Sequence, residues 1–382
     1  MSKIFLLFFW IFSLILLADI DDFETFMAEQ VEDTAPPSAA FAVLKGQEII
    51  YESSHGYNDA QQKELTSTES IYHVFSLTKI LTATVMMQLL QEGQVSLKEN
   101  IETFFPRLRA KYDDQNVTIT VLNLLNHSSG ISDRSSDYRY MFDDNYYAYM
   151  LSQEEDLEPY IDLPYLPGSE AKYSSAEYVL LGKIMEKITG ISFAQLVRER
   201  VLEPANMKRS GFVYTNTMAE DQVHGTVKYF SIIGFAMRMF MEDEWKDHYD
   251  GTTLWLKQFD VRWQPAGGLV SSIHDMALFL KAYNRGSFLD VATQKIFLHS
   301  PTVQVNQTFP NYDDIRFGIG WYHLKNNKQF FLQHQGLGPG FRTIMRIYPD
   351  HDLSFVILTS QTETDIDLWA DKLFESLKES PL

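Results

Sequence analysis

The chain has 382 residues, 45% of them hydrophobic and 22% charged, which is enough for one large domain or two interleaved ones around a full core. Acids outnumber bases by 51 to 32, a net charge of −19, and no Lys/Arg run offsets that balance, so nucleic acid is excluded as the main partner. There is no cysteine, which excludes thiol catalysis, iron–sulfur centres and Cys-based zinc sites and leaves the chain indifferent to an oxidising compartment.

Lys3 precedes an apolar run from Ile4 to Ala18, broken only by Ser13 and followed by Asp19, Asp21, Asp22 and Glu24. The run is shorter than the roughly 20 residues of a membrane span, so residues 1–18 read as an export signal or, if retained, as an N-terminal anchor through which the protein would associate with a membrane. Either reading places the bulk of the protein outside the cytoplasm. The acidic stretch 19–37 is expected to be an irregular linker to a single domain at 38–378. There, Phe41 to Leu44 and Ile49 to Tyr51 flank Lys45-Gly46-Gln47 and predict a hairpin. Ser76 to Glu92 is almost wholly apolar and closes on Gly93, which predicts a buried helix with a glycine C-cap. Ser174-Ser175-Ala176-Glu177 reads as a capping box, followed at helical spacing by Leu180, Leu181, Ile184, Met185 and Ile188 up to Gly190.

The stretch Val227 to Trp263 is rich in Phe, Met and Trp, including Phe235 to Met241. It is expected to form an amphipathic core helix, with a lid and a membrane-facing patch as the other readings. Ser272-Ile273-His274-Asp275 repeats the capping signature before Met276 to Tyr283. Strands are predicted at Phe317 to His323, Gln329 to Gln333, Arg342 to Tyr348 and Leu353 to Thr359, and a closing helix at Asp365 to Lys378. Strands at both ends with helices between them imply an α+β fold: one antiparallel sheet built from both termini and flanked by helices, with a helical region inserted at about 95–260.

The segment Val74-Phe75-Ser76-Leu77-Thr78-Lys79-Ile80-Leu81 carries the chemistry. Residues three apart on a helix share a face, so Ser76 and Lys79 point the same way. A lysine in a first turn opposes the helix dipole, and its neighbours here are apolar. Burial would lower its pKa and suit it to activating a serine hydroxyl; the plain alternative is a lysine that snorkels to solvent beside an N-cap serine. A second Ser-x-x-Lys, Ser169 to Lys172, follows Pro167-Gly168 in a turn and opens no buried helix.

Two further elements join the first. Tyr173-Ser174-Ser175 stands at a helix start, and His334-Gln335-Gly336 ends a strand where the glycine lets another backbone approach. In this order and spacing the three motifs resemble the serine β-lactamase and penicillin-binding-protein superfamily, nearest to class C β-lactamases and the related esterases and D-amino-acid peptidases. Leu124 to Ile131, Pro167-Gly168, Pro265 to Leu269 and Phe317 to Trp321 resemble supporting segments, and the likeness covers roughly residues 38–378. It implies a β-lactamase/DD-peptidase-like fold with Ser76 as acylated nucleophile. Lys79 and Tyr173 would share the proton transfer, the lysine's charge favouring tyrosinate. The backbone N–H groups of Ser76 and Leu337 would form the oxyanion hole, with His334, Gly336 and Ser175 around the substrate.

Two departures bear on the substrate. Ser175 stands where lactamases carry asparagine, and His334 where they carry lysine, so an esterase or D-amino-acid peptidase is favoured over a lactamase. The expectation is an exported, cofactor-free serine hydrolase acting on a small-molecule or peptide ester or amide through an acyl-serine. The rivals are a non-catalytic penicillin-binding-like receptor or assembly protein and, after it, a true β-lactamase.

His127 is expected to be a buried, hydrogen-bonded structural residue. The ten histidines lack His-Glu-x-x-His spacing, so no metal site is expected. Gly336-Leu337-Gly338-Pro339-Gly340 leads into a strand and is not a phosphate cradle. Tyr138 to Tyr165, dense in tyrosine and acids, would wall the site against a cationic substrate or form a solvated acidic surface.

Overall fold

The structure is a computed structural model that describes residues 20–31, 36–106, 108–133, 161–235, 241, 243–299, 302–305, 312–326 and 329–378. The export-signal or anchor stretch 1–18 lies outside them, as do residues 138–160 of the tyrosine-rich stretch and 236–240 of the Phe/Met-rich one.

The main sheet takes strands from both ends of the chain: β1 (Ser38–Lys45) and β2 (Glu48–Gly56), then β3 (Val303–Gln304), β4 (Asp314–Phe317), β5 (Tyr322–Asn326), β6 (Gln329–Gly338), β7 (Phe341–Tyr348) and β8 (Leu353–Thr359). They lie in the order β3-β4-β5-β6-β7-β8-β1-β2, antiparallel throughout. The hairpin turns at Gly46, whose φ of +57° suits a residue without Cβ. Strand β1 reads as a continuous apolar run because both its faces are covered: Ala40, Ala42 and Leu44 enter one core, and Ala39, Phe41 and Val43 the other.

The larger core holds helix α2 (Thr78–Gln91), nearly all of it buried, against the inserted region and its helix α3 (Ser175–Thr189). On the opposite face lie α1 (residues 20–31) and α5 (Ile366–Lys378), with α4 (Ile273–Asn284) packed across β1 and β8 on the first face.

Three expectations need correction. Residues 20–31 are helical, within a stretch expected to be linker, because Ile20, Phe23 and Met27 recur at helical spacing and bury against Phe41 and Trp369 beneath an acidic outer face. The strand expected at Phe317 to His323 is a turn between β4 and β5, with Gly320 at φ +69° and too close to Ala83 for any side chain. The described part of 227–263 differs from a core helix: residues 226–228, 253–256 and 246–250 form a three-stranded sheet, and residues 232–235 are helical but hold Ile232 and Phe235 exposed.

Helix α1 is therefore part of the domain. Phe23 meets Phe41 edge-on at 4.8 Å and is fully buried. Phe23→Ala should cost about 3 kcal/mol in denaturant unfolding, whereas an irregular linker would show no change.

Candidate active site

The turn that carries Ser76 begins with strain. Phe75 adopts φ +45° in a single 3-10 turn, Phe75–Leu77, that leads directly into α2. An aromatic residue in the left-handed region holds only where its surroundings over-determine it. Its ring lies against Gly338, where any side chain would overlap it, and Thr78 Oγ1 donates to the Phe75 carbonyl at 2.5 Å. At Gly336 a Cβ would collide with Thr343 Oγ1 and the Val74 carbonyl, so glycine is what allows β6 to run against this turn. Beyond Gln333, β6 outruns β5 and pairs only with β7, so His334 to Gly338 present one edge with no strand partner among the described residues.

Lys79 is fully buried and does not snorkel. Its Nζ donates to the Ala266 carbonyl at 2.7 Å and lies 3.2 Å from Ser76 Oγ and 3.3 Å from Ser175 Oγ. It also sits 4.8 Å from the Tyr173 ring centroid and 5.6 Å from that of Tyr178. The Tyr173 hydroxyl donates to Ser76 Oγ at 2.8 Å. Ser76, Lys79 and Tyr173, named from the sequence, thus meet at one partly exposed hydroxyl, with Ser175 held against the lysine. His334 is buried next to them, its ring 6.3 Å from that of Tyr173 and 5.4 Å from that of Tyr322. Gly336 and Leu337 lie on the open edge, with Leu337 exposed.

Burial sets the charges. Desolvation pushes Lys79 from 10.5 down to about 7, against the opposing pull of Asp133. Burial, together with Tyr322, pushes the Tyr173 phenol well above its ordinary value. A tyrosinate at 173 favoured by the lysine's charge is therefore not what the site holds: the phenol keeps its proton, and the amine is half neutral near pH 7. His334 is pushed down to about 3, first by burial and then by Lys79. Its Nδ1 is 2.9 Å from the Gln335 carbonyl, which can only accept, so Nδ1 carries the proton and Nε2 presents a lone pair.

The sequence reading missed what holds the tyrosine motif. Ser174 is the N-cap of α3, but its side chain does not close a capping box. Asp133 does that work from 41 residues away: Oδ1 accepts from Ser174 Oγ and from the Ala176 N–H, and Oδ2 from the Ser175 N–H, each at 2.9 Å. Glu177, freed from capping, is fully buried. It accepts from Ser129 Oγ at 2.5 Å and lies 2.5 Å from His127 Nδ1. Burial pushes Glu177 up and His127 down, so the pair stays a neutral acid beside a neutral imidazole. His127 is structural, as expected. Among the described residues no group of His, Asp and Glu is placed to hold a metal ion.

A buried lysine, a serine and a tyrosine thus converge below the edge of the antiparallel sheet. The chain belongs to the beta-lactamase family, whose model matches residues 23–375. It is 23% identical over 343 residues to Protein flp of Staphylococcus aureus (strain MW2), covering 88% of this chain and 62% of that one. It is 26% identical over 326 residues to Penicillin-binding protein 4* of Bacillus subtilis (strain 168), covering 84% and 67%. The chain thus spans about three fifths of the length of the staphylococcal relatives. The D-amino acid amidase of Ochrobactrum anthropi SV3, solved with D-phenylalanine, shares the fold with a TM-score of 0.78 at 21% identity, covering 95% of this chain and 99% of that one.

Glu177→Gln keeps a neutral partner for Ser129 and His127 and should stay within about 1 kcal/mol of the parent in denaturant unfolding. Glu177→Ala strands those buried groups and should lose about 2–4 kcal/mol.

Proposed function

We propose that the protein is an exported serine hydrolase of the esterase or D-amino-acid amidase type, cleaving an ester or amide through an acyl-Ser76 intermediate. The observation that carries this reading is the double contact on Ser76 Oγ, with Lys79 Nζ at 3.2 Å and the Tyr173 hydroxyl at 2.8 Å. Neutral Lys79 takes the Ser76 proton as Oγ attacks the substrate carbonyl, forming the C–O bond. The negative charge on the former carbonyl oxygen is received by the backbone N–H groups of Ser76 and Leu337. Tyr173, held as a phenol, gives its proton to the departing nitrogen or oxygen and regains one from the Lys79 ammonium. Water then repeats the sequence on the acyl-serine, releasing the acid. Localisation outside the cytoplasm rests on the apolar run Ile4 to Ala18.

The substrate class follows from His334. A neutral imidazole whose Nε2 offers a lone pair repels a carboxylate and accepts an N–H. This disfavours ligands that carry a free carboxylate, β-lactams among them, and favours amides and esters of amino-acid-like compounds. A D-amino acid amidase of the same fold, solved with D-phenylalanine, supports that choice. Ser175 keeps the lysine contact that an asparagine would make, at 3.3 Å.

Two measurements test the reading. A fluorophosphonate probe should label the chain and fail to label Ser76→Ala; undiminished labelling of that variant would refute the acyl-serine. The labelling rate should rise with pH along a limb centred near 7, because the base must lose its proton and Lys79 is held at about 7. A limb centred above about 9 would instead assign the base to Tyr173. Separately, His334→Lys should raise the rate of acylation by a penicillin at least about tenfold relative to that by a D-amino-acid ester; equal changes for both would remove the role given to His334.

A further inference from the structure

We propose that Asp133 is a positioning residue of the reaction: its carboxylate clamps the Tyr173-Ser174-Ser175 turn against Ser76 and stands next to Ser175, the residue that receives Lys79 Nζ. This rests on the hydrolase reading and goes beyond it, since Asp133 belongs to none of the three motifs.

Asp133 makes no contact with Ser76 itself. It takes three hydrogen bonds from the first turn of α3, all at 2.9 Å, and that turn delivers two of the groups around the nucleophile. Tyr173, one residue before the cap, reaches Ser76 Oγ, and Ser175, the first helical residue, receives Lys79 Nζ. The Ser174 N–H goes to His127 Nδ1 at 3.3 Å. The start of α3 is thus tied to the segment 127–133 by four hydrogen bonds, and a carboxylate there also meets the positive end of a 15-residue helix.

Among the described residues, the groups around Lys79 come from several elements. The 3-10 turn before its helix offers the neutral Ser76, and the 264–267 turn offers the Ala266 carbonyl. Helix α3 offers Ser175, the Tyr178 ring and Glu177, which burial keeps as a neutral acid. Tyr173 remains a phenol, and His127 and His334 remain neutral. Asp133, bound to the Ser175 N–H at 2.9 Å while Ser175 Oγ receives Lys79, adds a carboxylate next to this set, and its field holds the lysine's proton affinity up against desolvation.

The two roles separate by substitution, read as the rate of fluorophosphonate labelling of the full chain against pH. Asp133→Asn keeps the size and loses the charge, so the midpoint of the rising limb should fall by about 0.5–1 pH unit. Asp133→Glu keeps the charge and displaces the carboxylate, so the midpoint should stay while the plateau drops at least about tenfold. A folded Asp133→Asn whose midpoint coincides with the parent's overturns the charge role. An Asp133→Glu plateau within twofold of the parent's overturns the clamp, and this holds even where circular dichroism shows that Asp133→Asn has not folded. Absence of labelling in the parent chain sinks the hydrolase reading instead.

Discussion

The site depends on one desolvated amine. Lys79 has no solvent exposure, and its one strong acceptor is the Ala266 carbonyl. Taking an ammonium out of water costs several kcal/mol unless it is paired, and no carboxylate lies within ion-pair distance of Nζ among the described residues. The group answers by surrendering proton affinity. The drop from 10.5 to about 7 corresponds to about 5 kcal/mol of disfavoured charge. That penalty is borne by the fold, and its product is an amine that is partly neutral at physiological pH next to a serine hydroxyl. The surrounding features serve this arrangement: α2 carries the lysine inside, the 264–267 turn closes over it, and α3 brings Ser175.

That closure requires backbones to touch. A Cβ at Gly182 would overlap Pro265, and Gly336 and Gly338 admit β6 against Val74 and Phe75. The glycines lie where three separately formed elements meet, and each removes the one atom that would hold them apart. Phe75, strained at φ +45°, is fixed by the same contacts. The turn that exposes Ser76 is therefore maintained by packing from the sheet, since its own backbone preference opposes it.

The outer architecture was legible in the sequence because its signals are local. Leu353 to Thr359 and the hairpin at Gly46 read directly as strands and turn, and Asp365 to Lys378 nearly matches α5. Where local reading failed, a partner distant in sequence had taken over. Ser174 and Glu177 have the spacing of a capping box, but Asp133 occupies the helix end, and Glu177 turns inward to Ser129 and His127. Phe317 to His323 is apolar enough for a strand, but Gly318 and Gly320 bend it so that it can pass Ala83 and the His323 ring. In residues 20–31 the periodicity of Ile20, Phe23 and Met27 was present but lay beneath an acidic composition. The residue types of the candidate site were equally readable. Their charge states were not, since these depend on which groups are dry, and that is a property of the assembled core.

A histidine in the third motif and a carboxylate at 133 act on the same lysine. A lysine at 334 would put a second ammonium within the field of Lys79 and push its amine further toward neutrality. His334, neutral under burial, adds no such repulsion, so desolvation and Asp133 are left to set the balance. The exchange removes a positive charge from the site while leaving the Lys79 amine near neutrality. Under the proposed mechanism, substrate preference and working pH would be coupled through one electrostatic environment, and a change at either position would be felt at the other.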